Sequence, residues 1–182
     1  MEKFIEEVEF DYDPQPLIDI HEKWRGTDAL TQTGQLSINN RGYNELTDLE
    51  QLANGRGGVQ QYYRSALKEE YAKLEMQWSK INEIFEDTYL HEIYNRLEQM
   101  FDLGRMRFLC LGVNSCYTYH QDATIRFHIP LYTNDECIFF DENYTPYHMP
   151  VGKIYLVDTT KFHTAANFGK HERLHIVGAV NR

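Results

Sequence analysis

The sequence has few cysteines, three among 182 residues, and few basic side chains, 18 against 28 acidic ones. Three thiols without the paired spacing of zinc sites exclude a disulfide-stapled scaffold and are typical of a reducing, cytoplasmic compartment. A net charge of −10 repels phosphate backbones, so we expect no nucleic-acid partner. Apolar runs never approach the roughly 18 residues of a membrane span, and the first residues are acidic, so neither a membrane segment nor a signal peptide is expected.

Aromatic residues, in contrast, are abundant, with 13 Tyr and 10 Phe. Together with 42% apolar and 25% charged residues they exclude disorder as the main state and indicate a globular protein. A chain of 21.6 kDa is long enough for one core and short for two. We therefore predict a single domain over residues 1–182; the composition indicates no oligomeric state.

The spacing of apolar residues changes near residue 103. Before it, large apolar side chains recur at steps of three and four from Leu67 to Phe85, which predicts one amphipathic helix that covers a sheet. A coiled-coil seam is the alternative for this stripe. Asp87-Thr88 is typical of a helix start and Gly104 of a helix end, so a second helix is expected between them. Residues 1–103 are thus predicted to supply N-terminal strands and supporting helices.

From residue 104 onward the apolar period is two and the segments have the length of strands. We predict an α+β fold, mainly β, with helices packed on an antiparallel sheet; the pattern does not separate a sandwich from a barrel. The predicted strands cover residues 106–111, 124–131, 136–140, 153–157 and 173–180, with edge strands at 8–12 and 34–38.

Three residues have the character of a metal site. His120 and Asp122 lie two positions apart, so on extended chain they project to the same side, and His163 follows a later predicted strand. Two His and one carboxylate with open positions is the facial arrangement of non-haem Fe(II) oxygenases, whereas a closed zinc site would use a fourth protein ligand, usually thiolate. The alternative is that the three side chains only satisfy buried backbone groups.

Three further residues indicate an anion site beside the metal. Arg126 and His128 share one face of a predicted strand, and Arg173 begins the last predicted strand. A guanidinium binds carboxylate in fork geometry, and two arginines indicate an anion with two charged ends, such as a dicarboxylate. A structural salt bridge is the alternative role for Arg126 and His128.

Residues 105–180 resemble the 2-oxoglutarate- and Fe(II)-dependent oxygenases, and within them the aspartyl/asparaginyl β-hydroxylase branch, which includes proline hydroxylases. The stretches that carry the resemblance are His120-Gln121-Asp122, Arg126-Phe127-His128-Ile129-Pro130-Leu131, Gly152 to Asp158, His163, Asn167 and Arg173-Leu174-His175. Residues 1–103 match no family that we can name.

The resemblance implies a double-stranded β-helix, the jelly-roll or cupin-like core, formed mainly by residues 104–182. It implies His120, Asp122 and His163 as catalytic iron ligands, and Arg173, Arg126 and His128 as residues that bind 2-oxoglutarate. It also implies a dioxygenase that uses Fe(II), 2-oxoglutarate and O2 to hydroxylate a free amino acid or a peptide or protein side chain, with release of succinate and CO2.

Two alternatives to this hydroxylase remain open from the sequence. One is a jelly-roll module that binds a metal or ligand without turnover. The other is a cupin-type metalloenzyme that does not use 2-oxoglutarate, although cupins usually place His-x-His and a Glu on the metal and no such set is found here. The sequence does not indicate the substrate.

Overall fold

The computed structural model describes residues 3–25, 35–42, 47 and 68–181. In these residues the helices are α1 (Pro14–Arg25), α2 (Lys68–Glu75) and α3 (Tyr89–Met100), with a short 3-10 helix at Glu83–Phe85. None of the helices in the described ranges is both long and apolar enough to cross a membrane.

The described strands follow the chain in twelve short segments. They are β1 (Ile5–Val8), β2 (Gln35–Ser37), β3 (Asn39–Asn40), β4 (Lys80–Ile81), β5 (Asp102–Leu111), β6 (Ser115–Cys116), β7 (Ile125–Tyr132), β8 (Cys137–Phe140), β9 (Pro146–Tyr147), β10 (Ile154–Val157), β11 (Thr164–Asn167) and β12 (Arg173–Asn181).

Strands β1 and β2, together with β5 to β12, form two antiparallel sheets. The larger sheet has the order β1-β10-β7-β12-β5-β2, and the smaller one has the order β6-β11-β8-β9. Successive strands cross repeatedly from one sheet to the other, which is the double-sheet topology of a jelly roll. The predicted mainly-β fold with helices and a double-stranded β-helix core is therefore confirmed.

Two apolar clusters lie on the two faces of the larger sheet. The main cluster contains Leu17 from α1, Leu97 from α3 and Phe108 from β5, so it joins the helices to the outer face of that sheet. A smaller cluster around Phe139 and Val157 lies between the two sheets. Because this second cluster is small, the inner face has room for the polar side chains of the candidate site.

Each of the five long strands predicted after residue 104 is present. The short strands β6, β9 and β11 were not predicted. The two residues of β6 and of β9 carry too little alternation to be recognised. The predicted edge strand at 34–38 is present as the shorter β2, with Gly34 outside the described residues. The predicted edge strand at 8–12 is wrong beyond Val8, because β1 covers Ile5–Val8.

The prediction of one helix from Leu67 to Phe85 is wrong in its second half. Leu67 lies outside the described residues, and α2 ends at Glu75. Backbone pairing then replaces the helix, because Ser79 N–H donates to the Asn40 carbonyl at 3.0 Å and β4 pairs with β3. Trp78 and Phe85 are still buried, so the stripe identified core residues but not their secondary structure.

The second predicted helix is present as α3, with Thr88 at its N-cap. The predicted role of Gly104 is wrong, because α3 ends at Met100 and Gly104 lies within β5. A Cβ atom at Gly104 would lie 2.6 Å from the carbonyl oxygen of Glu75. The glycine therefore permits the close approach of β5 to the end of α2.

The helix α1 was missed. Its start carries an ordinary signal, since Pro14 occupies the first turn and the Asp13 carboxylate accepts a hydrogen bond from Gln15 N–H at 3.0 Å. The buried face of α1 consists of Leu17 and His21, too few apolar residues for the period to be visible.

Candidate metal centre

The structure brings His120, Asp122 and His163 together at one end of the sheets. The two histidines face each other across an antiparallel bridge, with His120 N–H donating to His163 O at 3.0 Å and His163 N–H donating to His120 O at 2.8 Å. The backbone N–H of Asp122 donates to Thr159 O at 2.7 Å. One nitrogen or oxygen of each side chain lies within 4.8 Å of the others, so the three groups can bind a single ion.

Backbone carbonyls fix the imidazoles of the two histidines in the form that binds metal. Nδ1 of His120 lies 2.6 Å from Thr118 O, and Nδ1 of His163 lies 3.0 Å from Lys161 O. A carbonyl only accepts, so Nδ1 carries the proton in both rings and Nε2 presents its lone pair. This is the usual support of a histidine ligand.

His163 is also held by packing. The Phe139 ring stacks on its imidazole with 5.2 Å between centroids and 8° between planes. Burial lowers the pKa of His163 below its ordinary value, while Asp122 opposes that shift. The imidazole is therefore neutral near pH 7, the state that binds metal.

Asp122 belongs to a buried network of ion pairs. Its Oδ2 lies 3.2 Å from Arg126 Nε, and Arg126 Nη2 lies 2.6 Å from Glu75 Oε1. Arg105 Nη2 lies 3.3 Å from the same Glu75 oxygen, and Thr124 Oγ1 donates to Glu75 Oε2 at 2.9 Å. Burial alone would raise the pKa of Asp122, but the Arg126 guanidinium holds it well below its ordinary value.

Arg173 is surrounded by a second group of buried polar side chains. Its Nε and Nη2 have no hydrogen-bond partner in the described residues, and neither does the buried hydroxyl of Tyr117 or Nε2 of His175. Burial raises the pKa of Tyr117, and the nearby Arg173 guanidinium opposes that rise. The Tyr117 hydroxyl nevertheless has no hydrogen-bond partner of normal geometry in the described residues.

His128 connects the two groups of side chains. Its Nδ1 lies 3.3 Å from Nδ1 of His175, and its ring lies edge-on to Phe139 at 5.7 Å. Burial, with help from Arg173, lowers the pKa of His128 well below its ordinary value, so the ring is neutral. Phe139 touches both His128 and His163, and the anion-binding candidates thus adjoin the metal-binding candidates.

All six residues predicted for the site line the same interior region. The positions of His120, Asp122 and His163 are those that metal binding requires, and Arg173 has guanidinium nitrogens available for an anion. Arg126 is instead engaged by two carboxylates, the arrangement of the alternative salt-bridge role. The binding role predicted for each residue stays a prediction.

Sequence reasoning missed Glu75, Tyr117 and Phe139. No motif surrounds them, and Glu75 is separated from Arg126 by 51 positions. Asn167, for which a site role and a turn role were both open, has a structural role. Its amide donates to the carbonyls of Gly112 and His171 at 3.1 and 2.8 Å and accepts from Gly169 N–H at 3.0 Å.

Comparisons with known proteins relate the C-terminal half of the chain to hydroxylases. Residues 96–182 match the sequence profile of the family described as aspartyl/asparaginyl beta-hydroxylase. The chain is also 32% identical over 98 residues to L-proline cis-4-hydroxylase of Rhizobium meliloti (strain 1021), a match that covers 49% of this chain and 34% of that protein. The chain thus spans about a third of the length of the curated relative. The resemblance to the aspartyl/asparaginyl β-hydroxylase branch that the sequence predicted is confirmed over residues 96–182.

Among solved structures, the viral collagen prolyl hydroxylase vCPH of Paramecium Bursaria Chlorella virus-1 aligns with a TM-score of 0.48 at 8% identity, over 98% of this chain and 97% of that one. A prolyl-4-hydroxylase of Pseudomonas putida aligns with a TM-score of 0.47 at 11% identity, over 98% and 92% of the two chains.

Proposed function

We propose that this protein is an Fe(II)- and 2-oxoglutarate-dependent dioxygenase that hydroxylates an amino acid or a protein side chain and releases succinate and CO2. The observation that carries the proposal is the buried guanidinium of Arg173, whose Nε and Nη2 have no hydrogen-bond partner in the described residues, in the same interior as the His120, Asp122 and His163 cluster. A metal site and a carboxylate site side by side are what a chelating keto dicarboxylic acid requires.

The residues present fit iron. Two imidazoles whose Nδ1 atoms face backbone carbonyls, together with one ionised carboxylate, leave coordination positions open on a divalent ion. The described part of the chain brings no cysteine into this cluster, so a closed structural zinc site of the usual thiolate kind is not favoured.

The residues present also fit 2-oxoglutarate. Arg173 Nε and Nη2 can donate in parallel to the distal carboxylate, and the Tyr117 hydroxyl can add a third donor. Buried guanidinium nitrogens without a partner destabilise a protein, so their presence favours a bound anion and weighs against a cupin-type enzyme that does not use 2-oxoglutarate. Bound iron and 2-oxoglutarate would supply the oxidising chemistry with O2, while the protein holds and shields them.

Another arginine points to the substrate. Arg107 lies two positions after Arg105 on β5. Burial and the charge of Arg126 lower its pKa, while the carboxylates of Glu75 and Asp122 oppose that shift. No ion pair joins Arg107 to a carboxylate of the described residues, so we propose that its guanidinium binds the carboxylate of a free amino acid. Because the relative from Rhizobium meliloti is an L-proline hydroxylase, free amino acids with L-proline first are the substrates to test.

The proposal is tested by adding Fe(II) and 2-oxoglutarate without oxygen and recording the visible charge-transfer band of an iron–keto acid chelate. We expect the band in the wild type and in His171→Ala, which removes an exposed histidine, and no band in His163→Ala. With O2, free amino acids and peptides are then screened for succinate release.

A wild-type protein that is folded and binds metal but gives no band would contradict the proposal and favour the cupin-type or binding-module alternatives. A band in His163→Ala as strong as in the wild type would show that the metal is bound elsewhere. The cytoplasmic location expected from the sequence is part of the proposal, and cell fractionation tests it.

A further inference from the structure

We propose that Glu75, the last residue of α2, is a positioning residue for the metal ligand Asp122 and acts through Arg126. The inference rests on the proposed function, because it assumes that Asp122 binds a metal. Glu75 belongs to the N-terminal part of the chain, whereas the three metal-ligand candidates all lie within residues 96–182. The proposal therefore gives the N-terminal part a role at the metal site.

The guanidinium of Arg126 joins the two carboxylates. Different nitrogens are used, Nη2 for Glu75 at 2.6 Å and Nε for Asp122 at 3.2 Å. A guanidinium is planar and rigid, so fixing one edge on Glu75 fixes where the other edge meets Asp122. The direction of the Asp122 carboxylate therefore depends on the position of Glu75.

Glu75 is itself held firmly. Its side chain is fully buried, and its two oxygens accept from different groups, since Oε1 faces Arg105 as well as Arg126 and Oε2 accepts from Thr124. The backbone is also fixed, because Gly104 of β5 lies against the Glu75 carbonyl, where a Cβ would come within 2.6 Å. Such a residue can impose a geometry on its partner.

The charge of Glu75 is needed as well as its position. Arg126 pairs with Glu75 at 2.6 Å as well as with Asp122 at 3.2 Å, so Glu75 offsets part of the guanidinium charge that competes with a divalent cation for the Asp122 carboxylate. Screening is weak in a buried network, which makes this competition strong. Without Glu75, we expect Asp122 to turn toward Arg126 and to bind metal less well.

The test compares Glu75→Gln with Glu70→Gln, which makes the same chemical change at an exposed position of the same helix. The Mn(II) dissociation constant of the full metal-free chain is measured by electron paramagnetic resonance of free Mn(II). Because partners of metal ligands typically change affinity about 10- to 100-fold, we expect a loss of that size in Glu75→Gln and none in Glu70→Gln. Circular dichroism confirms that the variants are folded.

A double-mutant cycle separates positioning from a general structural effect. If Glu75 acts through Arg126, Glu75→Gln should weaken Mn(II) binding about twofold or less when Arg126→Gln is already present, because coupled residues are not additive. An undiminished further loss in that background would overturn the proposal, and so would wild-type affinity in Glu75→Gln alone.

Two further measurements keep the outcome interpretable. If Glu75→Gln does not fold, Glu75→Asp retains the charge with a shorter reach; weakened Mn(II) binding supports the proposal and unchanged binding overturns it. If the wild type binds no Mn(II), the proposed function fails. If the wild type binds Mn(II), His163→Ala does not, and Glu75→Gln matches the wild type, only the role of Glu75 fails.

Discussion

Replacement of Arg173 by Met should stabilise the protein and at the same time weaken its affinity for 2-oxoglutarate. The side chain of Arg173 is 4% exposed, and its Nε and Nη2 lack partners in the described residues. Unpartnered buried polar groups destabilise the folded state by about 1–3 kcal/mol, and more when charged. Methionine keeps most of the apolar stem and removes the charge.

The two expected changes have opposite signs. Without 2-oxoglutarate, the free energy of unfolding should rise by about 1–3 kcal/mol. For a chain of this length this corresponds to a melting temperature higher by a few degrees to about 10 °C. Loss of charge-assisted hydrogen bonds worth about 1.5–3 kcal/mol should weaken 2-oxoglutarate binding about ten- to hundredfold.

The assay is urea denaturation of the metal-free protein together with calorimetric titration of 2-oxoglutarate into the metal-loaded protein without oxygen. Arg105→Met is the matched control, because Arg105 is similarly buried at 7% exposure but pairs with Glu75 at 3.3 Å. Breaking that pair should lower the free energy of unfolding. A destabilised Arg173→Met protein with unchanged 2-oxoglutarate affinity would refute the reasoning and make Arg173 a structural residue.

Two predictions concern packing and pH. Gly178→Ala would place a Cβ 2.2 Å from Phe127 Cε1 and should lower the free energy of unfolding by about 1–3 kcal/mol. The control is Gly112→Ala, where the nearest contact of the new Cβ is 3.4 Å and the free energy of unfolding should change by about 0.5 kcal/mol or less. Equal urea midpoints of the two variants would contradict this prediction. Burial raises the pKa of Tyr12 to about 12, and its hydroxyl donates to Pro130 O at 2.6 Å. Its stabilising contribution is complete below pH 10 and is lost as pH rises toward 12, so the stability advantage of the wild type over Tyr12→Phe should shrink by about 2–3 kcal/mol in that range. A constant difference from pH 9 to 12 would contradict the prediction.

The β-rich half of the fold could be predicted from the sequence because its signal is local. On β7, Ile125, Phe127 and Ile129 alternate with Arg126 and His128, so the period of two identifies both the strand and its polar face. The same alternation placed the candidate metal and anion residues in one interior. Strands of two residues, such as β6, leave no such trace.

The N-terminal half could not be predicted in the same way because its signal is tertiary. The stripe through Trp78 and Phe85 has helical spacing, yet the chain leaves the helix after Glu75 to pair with β3. Burial of these side chains stabilises any backbone conformation that places them in the core. Hydrogen bonding to Asn40 satisfies the backbone N–H groups as well as a helix would. Helical spacing of apolar residues therefore predicts which side chains are buried more reliably than it predicts a helix.

Arg126 shows the limit of sequence reasoning at the site itself. Its position on the strand predicts that its side chain points inward, and the structure agrees. Whether Arg126 binds an anion or positions a metal ligand depends on whether a carboxylate of the protein pairs with it. That carboxylate belongs to Glu75, which lies on a helix 51 residues earlier in the chain. Gly104 allows the approach of Glu75, because a Cβ atom at this position would lie 2.6 Å from the Glu75 carbonyl oxygen. Neither condition has a local signal, so the residue type and the strand face could be read from the sequence while the partner could not. Double mutants of Glu75 and Arg126 therefore test the part of the site that only the folded structure reveals.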